Sequence, residues 1–592
     1  MIVAMKKAVI VAQLKDARDV LNKLRLSGVL HVEHTQLPKS QDILSLTEKL
    51  ALVDQAQGIL ADFQTAAKNI TFEKKIVEEE SFCRHIIDLH KRKDQLVEYL
   101  SSLMVRIKQY QEWGEFDPQA LMDLNKHNIF AALYQIPLKR LKEVPEGIIV
   151  NQLAVKNGLV NCLLISRKKI ELEFKEVPLP VTSLSQMYLR RDHDLAAIKN
   201  IEQQLIEQLS YQQDLQRIKS DLHKRLEFQE TLSGMGQADQ LVFLKGYIPV
   251  ESETTLLAQA KENGWGIFTA PPAPDDEVPT LLRNPAWIAL IKPLLKLLEL
   301  VPGYRELDIS PLFIIFFSLF FGMLIGDAGY GLIYLGLNFW LHRKLGAKIK
   351  DQSAFFLFYI LSFCAIIWGI LTATFFGQEW LLNLGVRPLI PWLGNVAFIQ
   401  AFCFFIGALH LSLAHGWRMI LKAPAWVALA DLGWICIIWA VFFLAKNLIL
   451  GDIYPGFGNG LILLGLVLVL FFTSPQKNIL KTIGEGLGTI ALSLVNNFTD
   501  VVSYIRLFAV GLAGVAIADA FNAMAAGVFK QGDFLTVIAA ALIVVLGHAL
   551  NIILGPMSVL VHGVRLNVLE FCGHANVTWS GFTYKPFGRK EI

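Results

Sequence analysis

The chain has 592 residues, 53% hydrophobic and only 18% charged, with a formal net charge of +3. A soluble protein carries about 25% charged residues, so a wholly soluble chain is excluded, and a nearly balanced charge gives no signal for a nucleic-acid partner. The shortage of charge is local: residues 1–285 are rich in Lys, Glu, Asp and Gln, whereas apolar runs dominate from about residue 309 onward. This predicts a soluble half followed by a polytopic membrane half.

The N-terminal apolar run is too short for a signal peptide and turns charged at once, so the soluble half is expected in the cytoplasm. Residues 6–13 alternate like a strand, 16–26 have helical periodicity stopped by Gly28, and 29–34 are strand-like again. Long helices are expected over 41–68 and 75–112, with strands over 128–137 and 158–168. A further helix covers 182–232. Its Ile198, Ile201, Leu205, Leu209, Leu215, Ile218, Leu222 and Leu226 recur mostly at spacings of three and four, a coiled-coil seam. About 50 helical residues reach ~75 Å, and the earlier helices are the natural antiparallel partner. A second α/β unit follows (strand 241–250, helix 253–263, strand 265–269), then a Pro-rich acidic linker over 270–279. The expected shape is a dumbbell of two small α/β lobes joined by a long antiparallel coiled coil, suited to binding partners at its ends. The soluble half has no phosphate loop, no paired Cys/His cluster and no Ser nucleophile elbow. The six scattered cysteines form no CxxC, so neither disulfides nor a metal site nor a cofactor is expected.

Residues 284–300 are apolar on one side and carry Lys292 and Lys296, as an interfacial helix would. The run 310–341 contains GDAGYG (326–331) and ends in the basic HRKLGAKIK. If GDAGYG is a tight turn between two short helices, the basic loop is cytoplasmic; if 310–341 is one pass, it lies outside. The positive-inside rule favours the turn. With spans over 354–376, 396–421, 426–444, 458–472, 484–529 and 534–571 it gives eight crossings with both termini cytoplasmic. Arg343, Lys344, Lys348, Lys350, Arg418, Lys422, Lys477, Lys481, Lys585, Arg589 and Lys590 are then inside, and only Arg387, Lys446 and Lys530 outside. The span 484–529 would reach ~69 Å as a helix against a hydrocarbon core of ~30 Å. It and 534–571 must tilt, bend or project. The fold class is therefore mostly α, with a cytoplasmic domain over 1–285 and a membrane domain of about eight helices over 286–592.

Arg506 lies deep in this apolar sequence. A guanidinium stays charged, and at a bilayer centre it costs roughly 2.5–3.5 kcal/mol on insertion scales. Ser493, Asn496 or Asn497, Asp500, Ser503 and Arg506 share one helical face, and His548, Asn551, Ser558, His562 and Arg565 share another. Each of the last two spans thus carries a polar lane with an arginine. Scattered polar residues are often only interhelical glue; two aligned lanes with arginines point to a pathway. The main deep carboxylates are Asp327, Asp431, Asp500 and Asp519, with Asp327 and Asp431 readable as outlet groups or as simple caps. None is a sufficient partner for Arg506, so its anion is expected on another protein.

SYIRLFAVGLAG (503–514), GYRELDISP (303–311) followed by GDAGYG, FLKGYIPV (243–250) and LVHGVRLNVLEF (560–571) resemble the membrane stator subunit of V-type and archaeal-type rotary ATPases, called subunit a, or subunit I in prokaryotes. The resemblance covers the whole chain. It implies a subunit that does not itself hydrolyse ATP. A ring of small carboxylate-bearing subunits would turn past it, and H⁺ or Na⁺ would reach the ring through two offset half-channels. Arg506 would attract the ring carboxylate and block a direct leak, with Arg565 sharing the task and His562 beside it. Glu485, Asn497, Asp500 and Ser503 would line the inner half-channel, and His548, Asn551 and Asp519 the outer one; Ser558 and Glu570 complete the candidate set. Gly555 stands where the family often has an acidic residue. Implied partners are the rotor ring, peripheral-stalk subunits and a central-stalk or ring-cap subunit at the cytoplasmic lobes, the ATPase head indirectly, and the bilayer of a prokaryotic cell membrane. The competing reading is a stand-alone secondary transporter of an anionic solute. Such a protein normally shows internal repeats with matching broken helices, and the membrane half shows none. A pure scaffold would leave the two lanes without a purpose.

Overall fold

The structure, a computed structural model, describes residues 1–64, 75–156, 158–474, 479–530 and 533–588. The N-terminal elements are β1 (Met5–Gln13), α1 (Ala17–Ser27), β2 (His31–Glu33), α2 (Gln41–Ala61), α3 (Glu79–Tyr110), α4 (Pro118–Lys126), β3 (Phe130–Pro137), β4 (Ile149–Lys156), β5 (Leu159–Ser166), β6 (Lys175–Val177), α5 (Leu184–Gln208), α6 (Gln212–Ser233), β7 (Gly236–Ala238), β8 (Leu241–Pro249), α7 (Glu253–Asn263) and β9 (Gly266–Ala270). Helix α1 stops where Gly28 takes φ +60°, a conformation that costs glycine little.

One sheet has the order β2-β8-β1-β9, with β7 beside β8. The two α/β units expected at residues 6–34 and 241–269 are therefore parts of one sheet. A second sheet, β4-β5-β3-β6, is antiparallel, with Phe130 opposite Ser166 and Pro137 opposite Leu159. Its strands β4 and β6, and helix α4, have weak patterns and are absent from the sequence expectation.

Two compact units make up the chain: Met1–Ile10, Ser27–Glu33 and Gly246–Gly588 in one, and Val11–Leu26 with His34–Lys245 in the other. In the second, α2 and α3 pack on α5 and α6. Val53, Ile59, Leu60, Ile86, Ile201, Leu205, Leu209, Leu215 and Leu222 form the core there. The helix expected over 182–232 is interrupted by a 3₁₀ turn at Leu209–Tyr211, which takes up the irregular step from Leu209 to Leu215. The helix expected over 41–68 ends at Ala61, and residues 65–68 lie outside the described residues.

The apolar half holds α8 (Ala286–Ala289), α9 (Lys292–Leu297), α10 (Ser310–Ile325), α11 (Ala328–Leu345), α12 (Ser353–Thr372), α13 (Glu379–Asn383), α14 (Val396–Lys422), α15 (Ala428–Leu450), α16 (Phe457–Phe472), α17 (Ile479–Ser503), α18 (Ile505–Phe529), α19 (Phe534–Ser558) and α20 (Cys572–Ala575). Among the described residues, five helical stretches are long and apolar enough to cross a bilayer: Ser353–Thr372, Val396–Lys422, Ala428–Leu450, Ile483–Phe529 and Phe534–Ala575. Ser310–Ile325 and Phe457–Phe472 are shorter apolar helices. This is the helix set of a multi-pass membrane protein. The segment 284–300 is amphipathic: Lys292 and Lys296 are exposed, while Ile291, Leu294 and Leu295 enter the core of the apolar half.

GDAGYG is a helix break. Gly326 ends α10 at φ +65°, and Asp327 caps α11. The Asp327 carboxylate accepts four backbone N–H groups, from Gly329 (2.7 Å), Tyr330 (3.1 Å), Phe376 (3.0 Å) and Gly377 (2.9 Å). It is buried, and its charge is met by peptide dipoles and the start of a helix. Of the two roles open to Asp327, cap or outlet group, the geometry is that of a cap. Lys477, Arg589 and Lys590, assigned to the inner side above, lie outside the described residues.

Candidate functional site

The long segment around Arg506 is not one regular helix. It breaks at Tyr504, between α17 and α18. There the amide of Tyr504 reaches back to the carbonyl of Val501 (3.4 Å), and Leu507 to that of Tyr504 (3.0 Å), so one turn is wound at i→i+3. Arg506 Nε fills part of the gap by donating to the carbonyl of Ser503 at 2.9 Å. Tyr504 is buried and locked: its hydroxyl bonds His410 Nδ1 at 2.8 Å, and the His410 ring is stacked between Phe316 (3.9 Å) and Phe571 (4.3 Å). The break that aims Arg506 is therefore held by packed aromatic rings.

The expectation that Arg506 has no anion of its own is overturned. Arg506 Nη2 donates to Glu570 Oε1 at 2.5 Å, and Arg565 Nε stands 3.5 Å from the same oxygen. The Ser503 hydroxyl is 3.3 Å from it, and Glu570 is only 5% exposed. Backbone geometry is why the sequence did not pair them. On an α-helix, residues five apart point about 140° apart. Here Val559–Gly563 and Leu566–Phe571 are π-helical, with i→i+5 spacing, so Arg565 and Glu570 share a face. Pro556, inside α19, has no amide to offer the carbonyl of Ile552. That carbonyl instead accepts the Tyr334 hydroxyl at 2.8 Å. The single regular lane expected for this span is thus bent by Pro556 and rewound beyond it.

The charge count of the cluster is simple. Arg506 and Arg565 supply two positive charges and Glu570 one negative. Arg506 has five N–H donors; among the described residues one goes to the Ser503 carbonyl and one to Glu570, leaving three. The Arg506 side chain is 21% exposed and that of Arg565 56%. A further carboxylate can approach both. His562 is half-buried within the first π turn, and its Nδ1 is buried without a hydrogen-bond partner among the described residues. Ser558 ends α19 at the same junction.

The other candidates separate into two groups. Near Arg506, Asp500 bonds His574 Nε2 at 3.1 Å, and its backbone carbonyl accepts the Ser503 hydroxyl at 2.8 Å. Asn497 is buried one turn earlier, with Nδ2 unpartnered among the described residues. Glu485 does not join them: it is exposed, about 20 residues from Arg506 on α17, or ~30 Å of helix. On the far side, His548 bonds the Tyr330 hydroxyl (2.8 Å) and Asn522 (3.1 Å). Asn551 donates to the Tyr330 hydroxyl (3.0 Å) and to the carbonyl of Gly514 (2.7 Å). Asp519 is committed to the backbone, accepting the amides of Gln378 (2.9 Å) and Glu379 (3.2 Å). Its role in the described residues is to hold the loop before α13, not to join His548 and Asn551 directly.

Sequence reasoning missed Tyr330, His410, His415, Tyr504, Asn522 and His574. Tyr330 was in view within GDAGYG. The histidines of α14 had a weaker signal: buried-looking imidazoles in an apolar helix with no pattern tying them to residues 150 positions away. Asp431, read as outlet group or cap, bonds His415 Nδ1 (3.0 Å) and accepts from Lys422 Nζ (2.7 Å), with Arg418 Nε at 3.5 Å.

No protein-family model matches the chain. It is 31% identical over 630 aligned positions, covering 100% of both chains, to the V-type ATP synthase subunit I of Borreliella burgdorferi. It is 29% identical over 99% of its length to all of the V-type ATP synthase subunit I 1 of Treponema pallidum. An A-type ATP synthase subunit I of Methanocaldococcus jannaschii is 26% identical over 70% of this chain and 66% of its own. With full-length similarity at this level, and apolar helices enough for several crossings, the chain belongs to the V-type ATP synthase subunit I family.

Proposed function

We propose that this protein is the membrane stator through which a V/A-type rotary ATPase couples ion flow to ATP turnover, with Arg506 as the residue that meets each passing ring carboxylate. It is the non-catalytic membrane subunit of that complex; ATP chemistry belongs to other subunits. The observation that carries the reading is the uneven charge of the Arg506–Arg565–Glu570 cluster. Its net +1, with donors left on Arg506 and both arginines partly exposed, suits one mobile anion. Glu570 keeps Arg506 from swinging to the headgroups and limits how tightly it binds that anion. Both matter for a contact that must form and break at every step. In low dielectric one such charge moves a carboxylate's proton affinity by whole units, so Arg506 favours loss of the ion and blocks a direct leak.

The domain plan fits this role: residues 1–285 as the cytoplasmic anchor for peripheral-stalk and ring-cap subunits, and 286–592 as the ion-translocating domain, with eight crossings in a prokaryotic cell membrane and both termini inside. Asn497, Asp500 and Ser503 belong to the cytoplasmic route. Tyr330, Asn522, His548 and Asn551 belong to the outer one. The secondary-transporter reading has no support among the relatives. The test is ATP-driven transport by the reconstituted complex. Arg506→Ala abolishes it while assembly persists, and Arg506→Lys also fails because an ammonium lacks the fork. Normal transport by assembled Arg506→Ala complex refutes the reading.

A further inference from the structure

One buried group of side chains lies beside the Arg506 cluster and is not used by it. Asp431 of α15 bonds His415 Nδ1 (3.0 Å), His415 Nε2 bonds His574 Nδ1 (2.9 Å), and His574 Nε2 bonds Asp500 Oδ2 (3.1 Å). Four residues from α14, α15, α17 and α20 thus form one unbroken line of three hydrogen bonds. Three of its side chains are dry: Asp431, His415 and His574 are 1%, 5% and 6% exposed. Asp500 closes one end at 27% exposed, and Lys422, which bonds the buried Asp431 carboxylate at the other, is 34% exposed.

The protons can be counted. Three hydrogen bonds need three hydrogens. Two neutral imidazoles supply two, and ionised carboxylates supply none. One further proton must reside in the line. When it is on Asp431, that carboxyl donates to His415 Nδ1, His415 Nε2–H to His574 Nδ1, and His574 Nε2–H to the Asp500 carboxylate. Shifting each hydrogen across its own bond leaves Asp431 ionised, both imidazoles neutral in the other tautomer, and Asp500 protonated. Net charge is unchanged, and one proton has moved the length of the line. Lys422 and Arg418 sit on the Asp431 carboxylate, so they favour the state with the proton on Asp500. Arg418 also donates to the backbone carbonyl of His574 at 2.8 Å, fixing that residue without taking a ring nitrogen. The charged groups facing the line are therefore Arg418 and Lys422 of α14 at the Asp431 end. At the Asp500 end, Ser503 links toward Glu570 and Arg506.

We propose that Asp431, His415, His574 and Asp500 form a proton wire that loads the ring carboxylate from the cytoplasmic side, and that the ion this protein carries is H⁺ rather than Na⁺. The inference rests on the stator reading and on the inward placement of Arg418 and Lys422. Asp500 passes its proton to an ionised ring carboxylate and becomes ionised itself. Refilling takes a proton in at Asp431, after a ring flip of each imidazole. A sodium ion cannot travel such a line, because each link is a shared hydrogen with no room for a cation.

The test uses the whole complex in proteoliposomes, with internal acidification and ²²Na⁺ uptake measured on ATP addition. The unsubstituted complex acidifies the lumen and takes up no ²²Na⁺. His415→Gln and His574→Gln, which assemble through their amides, lower acidification at least tenfold, and added imidazole restores transport to His574→Gly. Acidification at the normal rate by either assembled Gln variant overturns the wire. ATP-driven ²²Na⁺ uptake by the unsubstituted complex overturns it whether or not the variants assemble. Failure of the stator reading looks different: it is normal transport by Arg506→Ala.

Discussion

Replacing Glu570 with Gln removes one charge from the Arg506 cluster and almost no volume. The amide oxygen still accepts from Arg506, so folding and assembly persist. The electrostatics change more. Two unit charges ~4 Å apart attract by about 4 kcal/mol at an effective dielectric near 20. Removing one partner of a buried pair costs about 3–5 kcal/mol. Arg506 is 21% exposed, which puts it at the low end of that range. The Arg506–Arg565–Glu570 cluster rises from +1 to +2, and on the proposed stator reading Arg506 then holds a ring carboxylate about 3 kcal/mol more tightly. At 1.36 kcal/mol per decade, release slows by about 100-fold. The assay is ATP-driven transport by reconstituted complex, normalised to assembled protein. Glu570→Gln is expected at roughly 1% of the normal rate on the same scale. Glu570→Gln with Arg565→Gln returns the count to +1 and is expected to recover most of the loss. A merely structural role for Glu570 predicts no such rescue. Transport within about twofold of normal in the single variant, or no recovery in the double, refutes the reasoning.

Two predictions concern the frame that holds the site. Glu306, in the GYRELDISP stretch, is half-buried, which by itself raises a carboxyl's pKa. The Thr578 hydroxyl (2.5 Å) and the amides of Gly303, Thr578 and Trp579 outweigh burial and hold it below the ordinary carboxylate value. A depressed folded-state pKa gives stability that is present above the ordinary carboxylate range and is lost as pH falls through the lowered value. Glu306→Gln is therefore expected to lose about 1.5–3 kcal/mol at neutral pH, the worth of hydrogen bonds to a charged group. Melting across pH is expected to show the difference vanishing in acid, and a pH-independent gap excludes this account. Gly511 packs α18 on α10 so closely that an added Cβ would lie 2.6 Å from the carbonyl oxygen of Met323. Gly511→Ala is expected to cost about 1–3 kcal/mol through overpacking and to slow transport by shifting the helix that bears Arg506. Unchanged melting temperature and transport contradict that.

Much of the architecture was legible along the chain because it depends on local pattern. The apolar runs separate the two halves, the GDAGYG stretch breaks a helix, and Arg506 stands out because a guanidinium in hydrocarbon is costly wherever the rest of the chain goes. Asp327 was legible as a carboxylate at a turn, although its four amide partners include two from a segment about 50 residues away. Other features lay beyond any local reading. Strands β4 and β6 owe their state to the neighbours they pair with. The strands near residues 10 and 245 look like separate units until a sheet joins them.

The same division runs through the site. The sequence alone determined that this chain has a membrane half, that Arg506 is its costliest residue there, and that polar residues recur along the same two spans. Those conclusions need only composition, spacing and the price of charge in lipid. The tertiary structure decided what Arg506 touches. Glu570 reaches it because π turns beyond Pro556 bring residues five apart onto one face, where a regular helix would hold them about 140° apart. His415 and His574 meet because α14 and the C-terminal segment pack together across 159 positions of sequence. Helical periodicity reports which side of one helix a residue occupies. Which side chain lies opposite it is settled only when helices pack and their backbones depart from the regular repeat.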